Sequence, residues 1–171
     1  MLHIYYGNGK GKTTASVGLA IRAAGAGMKV AFLQFLKNGT SSEISILKAL
    51  ENITVICCEE CRKFTFAMND LEKAEVTHRH NEMLKTVSDL LSENAVQLVV
   101  LDEFIGAYNK KLIDTELADA FIENDLVKGE IVMTGRDPSD KLIKYADYLT
   151  EMTAVKHPFD KGITARKGIE Y

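Results

Sequence analysis

The sequence lacks long apolar runs, a large excess of either charge, and a signal-like N-terminus. No stretch of its 171 residues approaches the length of a membrane-spanning segment, and no charged N-terminal region precedes an apolar one. A net charge of −3 argues against nucleic acid or an anionic membrane as the main partner. We therefore expect a cytoplasmic protein that binds neither nucleic acid nor a membrane.

Cysteine is also scarce. Cys57, Cys58 and Cys61 form an odd set, which is typical of reduced thiols, and Cys57 is expected to pack in a strand as a small apolar residue. Cys58 and Cys61 have the spacing of half a zinc motif, which His78 or His80 would have to complete. No second pair has the usual spacing, so we do not expect structural zinc. His78 and His80 are two residues apart, so they cannot lie on the same face of a helix. We expect both histidines to be at the surface or partly buried.

The chain shows no internal repeat, low-complexity tract or linker, which indicates one domain over residues 1–171. With 46% hydrophobic residues it can form a central sheet covered on both faces. We predict strands at 2–6, 29–35, 53–58, 96–101, 130–134 and 148–152. We predict helices at 12–24, 43–50 and 114–123, and a long helix that begins at about residue 70. A last helix is expected to begin with Asp137 as its N-cap and Pro138 at its first position. Apolar strands alternating with helices predict an α/β fold with a mostly parallel sheet, as in RecA-like P-loop NTPases.

A glycine-rich stretch separates the first strand from the first helix. Its glycines permit positive φ angles and a close approach of backbone N–H groups to a ligand, and the helix N-terminus adds partial positive charge. Lys12 supplies a full charge, and the Thr13 hydroxyl is placed to bind Mg²⁺ on a polyphosphate. The stretch is a P-loop one residue short, because Tyr6 stands where the full pattern has glycine. The alternative is a glycine-rich turn without a ligand. The candidate ATP-binding residues here are Gly7, Asn8, Gly9, Lys10, Gly11, Lys12, Thr13 and Thr14.

Two other predicted strands also end in residues that suit a phosphate site. The strand at 96–101 leads into Asp102 and Glu103, and Mg²⁺ prefers such hard oxygen ligands beside phosphates. If the strand continues, the two carboxylates face opposite ways, so only one faces the metal. Arg136 follows another apolar strand and is a candidate phosphate clamp. Arg22 has the spacing of a solvated helix residue, and we also count it as a candidate ATP-binding residue.

Several separate stretches together resemble one family. They are Gly-Asn-Gly-Lys-Gly-Lys-Thr-Thr at 7–14, Arg-Ala-Ala-Gly at 22–25, Gln-Phe-Leu-Lys at 34–37, Phe-Thr-Phe at 64–66, Val-Val-Leu-Asp-Glu at 99–103, Thr-Gly-Arg at 134–136, Val-Lys-His-Pro-Phe-Asp-Lys-Gly-Ile at 155–163 and the closing Gly-Ile-Glu-Tyr. In this order they resemble the P-loop ATP:corrinoid adenosyltransferases of the CobA/BtuR/CobO type, which share the shortened P-loop. That family commonly has extra N-terminal residues and Phe-Thr-Trp, whereas this sequence begins on the first strand and has Phe-Thr-Phe.

The resemblance implies an enzyme that transfers the 5′-deoxyadenosyl group of ATP to the cobalt(I) of a reduced corrinoid and releases triphosphate. It implies Lys12, Thr13 and Glu103 as catalytic residues and Mg²⁺ on Thr13 and Glu103, with Asp102 as second choice. It also implies ATP bound in reverse orientation, Phe64 and Phe66 at the corrinoid, a homodimer, and an electron-donating flavoprotein. On residue type alone, Phe64 and Phe66 would instead fill the core under a loop.

Two other functions are compatible with the residues. A nucleotide kinase or ATPase would use the same P-loop for attack at the γ-phosphorus, with Glu103 positioning water or an acceptor hydroxyl. A binding module for ATP or corrinoid would need no turnover. The identity of the product distinguishes the three.

Overall fold

The computed structural model describes residues 1–171 and contains one six-stranded sheet in which every strand pair is parallel. The strands are β1 (Leu2–Tyr6), β2 (Val30–Gln34), β3 (Ile53–Cys57), β4 (Leu98–Asp102), β5 (Glu130–Gly135) and β6 (Tyr148–Glu151), in the spatial order β3-β2-β4-β5-β1-β6. The helices are α1 (Lys12–Gly25), α2 (Ser42–Lys48), α3 (Asp70–Ser92), α4 (Phe104–Asn109), α5 (Thr115–Asn124) and α6 (Asp140–Tyr145), with short 3₁₀ turns at Thr65–Ala67, Leu126–Lys128 and Pro158–Lys161. The predicted α/β fold class is confirmed.

The sheet is covered on both faces because alternate strand residues pack in opposite directions. In β2, Ala31 and Leu33 belong to the larger apolar cluster, and Val30 and Phe32 to the smaller one. The larger cluster, of 28 residues, lies under α3, α4, α5 and α6; the smaller, of 11, lies under α1 and α2. All five β2 residues are buried, as the continuous apolar pattern predicts.

Helix α3 begins as its sequence indicates. The Asn69 side chain accepts a hydrogen bond from the Glu72 N–H at 2.9 Å, and the Glu72 carboxylate accepts one from the Asn69 N–H at 2.9 Å. This reciprocal cap satisfies two N–H groups that the first turn leaves free.

One local prediction is wrong, and one helix was not predicted. Asp137 does not cap α6, because it has a φ of 52° in the left-handed region and Ser139 accepts the capping hydrogen bond from the Leu142 N–H. Helix α4 was not predicted, because it follows β4 with only Glu103 between them, and six residues are too few for a clear helical period.

None of the helices combines the length and apolar character that a bilayer crossing requires.

Candidate active site

The candidate site lies at the carboxyl edge of the sheet, where ligands collect in folds of this kind. Strand β1 lies between β5 and β6, and β4 lies between β2 and β5. The loop Gly7–Thr14 follows β1, Asp102 ends β4, and Gly135 ends β5. In sequence, the loop and Asp102 are about 90 residues apart, and Asp102 and Gly135 are about 30 residues apart. The topology brings these three stretches together, as the α/β pattern predicts.

The loop has the backbone conformation of a phosphate cradle. Gly7 and Gly11 have φ angles of 110° and 115°, which residues with a Cβ rarely adopt. Lys12 folds back over the loop, and its ammonium donates hydrogen bonds to the carbonyls of Gly7 and Gly9, each at 2.8 Å. Burial lowers the pKa of Lys12, and the nearby Glu103 carboxylate opposes that shift. The loop thus holds a positive charge over its concavity.

The chain after β6 packs directly on this loop. The Met152 N–H donates to the Tyr6 carbonyl at 2.7 Å, and the Gly9 N–H donates to the Met152 carbonyl at 2.6 Å. The Ala154 N–H donates to the Asn8 side chain at 2.9 Å. A Cβ on Gly9 would lie 2.6 Å from the Met152 carbonyl oxygen, so only glycine permits this approach. The expectation that Gly9 also has a positive φ is wrong; close packing, rather than φ, requires glycine there.

Asp102 is the fully buried centre of the site. One carboxylate oxygen accepts hydrogen bonds from the hydroxyls of Thr13 at 2.8 Å and Thr134 at 2.7 Å. The other accepts from the Lys37 ammonium at 2.9 Å. Burial works against the charge of Lys37, but the Asp102 carboxylate outweighs it and raises the pKa of Lys37. Asp102 therefore fixes the Thr13 hydroxyl and is itself held from three directions.

Glu103 has a different environment from its neighbour. Strand β4 ends at Asp102, and Glu103 has a φ of 61°, so the two carboxylates are not related by strand alternation. The Glu103 N–H donates to the Thr134 hydroxyl at 2.9 Å. Its carboxylate is half-buried and lies 4.0 Å from the Lys37 ammonium. Burial and then the Asp102 charge raise the pKa of Glu103, against Lys37, Lys12 and Arg136. The oxygens of Glu103 therefore accept fewer hydrogen bonds than those of Asp102.

The oxygen atoms of this cluster suit Mg²⁺. Thr13, Asp102 and Glu103 supply a hydroxyl and two carboxylates, which are the hard donors this ion prefers. Gln34, at the end of β2, adds a buried side-chain oxygen that has no hydrogen-bond partner. The Gln34 amide nitrogen lies 3.5 Å from the Asp102 carboxylate, and an unpartnered buried oxygen on such a neighbour fits a site that takes a cation or its water.

The two candidate arginines differ in position. Arg136 is exposed directly after β5, and the preceding Gly135 pairs with Tyr6, the last residue of β1 before the loop. After burial, the charge of Arg136 is a further cause of the lowered pKa of Lys12. Arg22 lies exposed in the last turn of α1, ten residues or roughly 15 Å along the helix from Lys12. The structure therefore does not bring Arg22 to the phosphate loop.

Phe64 and Phe66 lie at the surface beside a cavity. Their side chains are 78% and 87% exposed, and the rings stack with centroids 5.6 Å apart and planes 6° from parallel. The expectation that they fill the core is therefore wrong. Phe64 lines a cavity of about 860 Å³ next to the phosphate loop. Other walls of that cavity include Lys10, Thr13, Thr14, Lys37 and Tyr171.

Three residues of the cluster were missed as site residues in the sequence. They are Gln34, Lys37 and Thr134, which lie at or just after the carboxyl ends of β2 and β5. All three fall in the short stretches Gln-Phe-Leu-Lys and Thr-Gly-Arg. Their position just at strand ends was the available signal, because that edge of the sheet forms the site.

Comparison with known proteins identifies close relatives over the whole chain. A family model described as ATP:corrinoid adenosyltransferase BtuR/CobO/CobP matches residues 1–171. A corrinoid adenosyltransferase of Pseudomonas aeruginosa is 34% identical over 177 residues, covering 100% of this chain and 83% of that protein. One of Escherichia coli K12 is 33% identical, covering 98% and 84%. The solved cytoplasmic domain of EssC has a similar fold, with a TM-score of 0.56, 16% identity, and coverage of 97% of this chain and 33% of that one.

Proposed function

Since the chain belongs to the ATP:corrinoid adenosyltransferase family, we propose that its site transfers the 5′-deoxyadenosyl group of ATP to the cobalt(I) of a reduced corrinoid. The observation that carries this proposal is the family match over residues 1–171. The phosphate loop and the cluster around Asp102 supply the chemistry that such a transfer needs. A kinase or ATPase and a pure binding module are not favoured, because the matching relatives are adenosyltransferases.

The reaction is a displacement at C5′ of ATP. A cobalt–carbon bond forms while the bond between C5′ and the α-phosphate oxygen breaks, and that electron pair leaves with triphosphate. Cobalt(I) carries no proton, so the step needs no general base. The enzyme must instead stabilise charge that develops on triphosphate, and preorganised positive groups do this most effectively.

Lys12 is placed for that role. The Lys12 ammonium lies over the loop concavity, held by the Gly7 and Gly9 carbonyls at 2.8 Å, and can turn toward a bound phosphate. Arg136 adds charge nearby. Asn8, Lys10, Gly11 and Thr14 complete the loop that surrounds the phosphates. Of the proposed ATP ligands, Arg22 can meet only a part of the ligand that extends well beyond this loop.

We assign the metal-binding roles according to whether hydrogen bonds already engage each oxygen. Thr13 and Glu103 would bind Mg²⁺, which would neutralise part of the triphosphate charge. Asp102 would orient the Thr13 hydroxyl, since hydrogen bonds from Thr13, Thr134 and Lys37 already engage both of its oxygens. Asp102 stays the second choice as a direct ligand.

C5′ must face the corrinoid, which decides the orientation of ATP. In most P-loop enzymes the γ-phosphate points to the reacting partner. Here ATP would lie reversed in the loop, with adenosine and C5′ outward. The exposed, stacked aromatic pair, Phe64 and Phe66, would then lie on the corrinoid side. There the two apolar side chains would displace a ligand of the cobalt and so make cobalt(II) easier to reduce. A structure with Mg-ATP in the usual orientation would contradict this part.

The cellular setting is also part of the proposal. An electron-donating flavoprotein would give one electron to the cobalt(II) corrinoid and so form cobalt(I). The enzyme would work as a homodimer and act in the cytoplasm. The three cysteines, all free thiols, are compatible with a reducing compartment.

Product identity tests the function. Purified protein is mixed with ATP, Mg²⁺ and chemically reduced corrinoid, and the phosphate products are separated. Triphosphate formed in proportion to adenosylated corrinoid supports the proposal. ADP as the product would favour a kinase or ATPase, and no turnover would favour a binding module.

A further inference from the structure

Three metal-ligating side chains meet outside the nucleotide site, in the protein interior. Cys58 directly follows β3, Cys61 lies in the next turn, and His80 is on α3. Their ligand atoms all lie within 4.8 Å of one another, and the residues are only 0%, 5% and 0% exposed. The expectation that His80 is at the surface or partly buried is wrong, whereas His78 is exposed. The cluster joins the half zinc motif to a histidine 19 residues away.

The His80 ring is oriented as a metal ligand would be. Its Nδ1 lies 2.6 Å from the Leu112 carbonyl, which can only accept, so Nδ1 carries the proton. Nε2 therefore carries the free lone pair, and it lies 3.8 Å from the Cys61 sulphur. A carbonyl on the far nitrogen is the usual support of a metal-binding histidine. The Leu36 N–H also donates to Nε2, at 3.3 Å, and a metal bound to Nε2 would replace this long hydrogen bond.

The sulphur spacing favours a metal over a disulfide. The Cys58 and Cys61 sulphurs lie 3.2 Å apart. A tetrahedral zinc ion with bonds of about 2.3 Å separates two sulphurs by about 3.8 Å, whereas a disulfide bond is about 2.05 Å long. The pair would thus need to open by roughly 0.6 Å for zinc but close by roughly 1.2 Å for a disulfide. A sulphur and a nitrogen on one tetrahedral zinc ion are about 3.6 Å apart, and the Cys61 sulphur lies 3.8 Å from the His80 Nε2.

We propose that Cys58, Cys61 and His80 bind one zinc ion. Two thiolates and a neutral imidazole around Zn²⁺ form an uncharged unit, which suits a buried position better than free thiolates. Cys61 lines the cavity of about 860 Å³, which gives the ion a route of entry and leaves the fourth position open to water. The Glu60 carboxylate, 3.7 Å from the Cys58 sulphur, is an alternative fourth ligand.

The ion would fasten a surface loop to the core. It would connect the end of β3 to the middle of α3 and hold Cys61, three residues before Phe64. Because the loop from 59 to 64 contains no helix or strand, few other backbone hydrogen bonds restrain it.

Metal content of the protein purified in reducing buffer tests the proposal without any assay of turnover. We expect one zinc per chain in the wild type, loss of most of it in Cys58→Ser and Cys61→Ser, and full retention in Cys57→Ser. Cys57 is the matched control, because its sulphur packs against Gly39 and is outside the cluster. A wild type without stoichiometric zinc, or zinc that Cys58→Ser and Cys61→Ser leave unchanged, would overturn it.

Wild-type measurements keep the test valid if a variant does not fold. Removing the metal with a chelator, with thiols kept reduced, should speed hydrogen exchange in residues 58–64, and zinc should reverse the change. Cobalt(II) salt added to the metal-free chain, without corrinoid, should give sulphur-to-cobalt charge-transfer absorption. Unchanged exchange, or a mass showing two hydrogens lost to a disulfide in the protein as purified, would contradict zinc binding.

Discussion

Replacing Thr134 by valine removes one hydroxyl from the candidate site and keeps the shape of the side chain. Thr134 is fully buried. Its hydroxyl donates to the Asp102 carboxylate at 2.7 Å and accepts from the Glu103 N–H at 2.9 Å. The substitution therefore weakens the support of Asp102 and leaves a backbone N–H without its partner.

The hydrogen bonds set the size of the effect. A bond to a charged group is worth about 1.5–3 kcal/mol, and an unpaired buried N–H costs about 1–3 kcal/mol. Because the two effects share one hydroxyl, we expect the free energy of unfolding to fall by about 2–4 kcal/mol. Each kcal/mol lost should lower the melting temperature by about 2–4 °C. Glu103 loses support directly, and Thr13 loses it through Asp102, which holds the Thr13 hydroxyl. The Mg²⁺ requirement should therefore rise roughly 10- to 100-fold.

Chemical denaturation and a Mg²⁺ titration of turnover measure these effects. Thr134→Ser keeps the hydroxyl and should recover most of the Mg²⁺ affinity. Thr86→Val is the control for the chemical change, since Thr86 is exposed on α3 and bonds only its own helix. A loss for Thr134→Val below about 0.5 kcal/mol, as expected for Thr86→Val, would refute the reasoning.

Three further experiments test individual roles. Lys12→Ala should lower kcat/KM by about 100-fold or more while the protein stays folded, because the charge stabilises departing triphosphate; turnover within a few-fold of wild type would contradict this. Glu103→Gln should raise the Mg²⁺ requirement more than Asp102→Asn, and the opposite order would reassign the metal ligand. Phe66→Ala should reduce turnover strongly with a flavoprotein as reductant but mildly with cobalt(I) supplied, at unchanged ATP affinity and melting temperature; equal losses in both assays would exclude a role in reduction.

The sequence predicts the fold well because its strongest signals are long and regular. Continuous apolar strands between helical segments leave little choice but a parallel sheet, and the N-terminal cap of α3 is encoded locally. The start of α6 was misplaced because Asp-Pro is typical of a helix start, whereas the chain turns at Asp137 with a φ of 52° before Ser139 takes the cap. Such a turn depends on tertiary packing rather than on local preference.

The candidate site was only partly visible in the sequence. A motif identifies Lys12 and Thr13, but Lys37 reaches Asp102 only because β2 and β4 are neighbours in the sheet. Spatial order cannot be read from local pattern. The same is true of the cysteine–histidine cluster, in which His80 is brought to Cys61 by the path of α3 across the core.

The direct test of the proposed function is the fate of C5′ of ATP. ATP with isotopically labelled C5′ is given to the enzyme with cobalt(I) corrinoid under single-turnover conditions, with Lys12→Ala as the inactive control. The account predicts that the label becomes bonded to cobalt and that the three phosphates leave together as triphosphate. Label that stays on a nucleotide while ADP and a transferred or free phosphate form would contradict it.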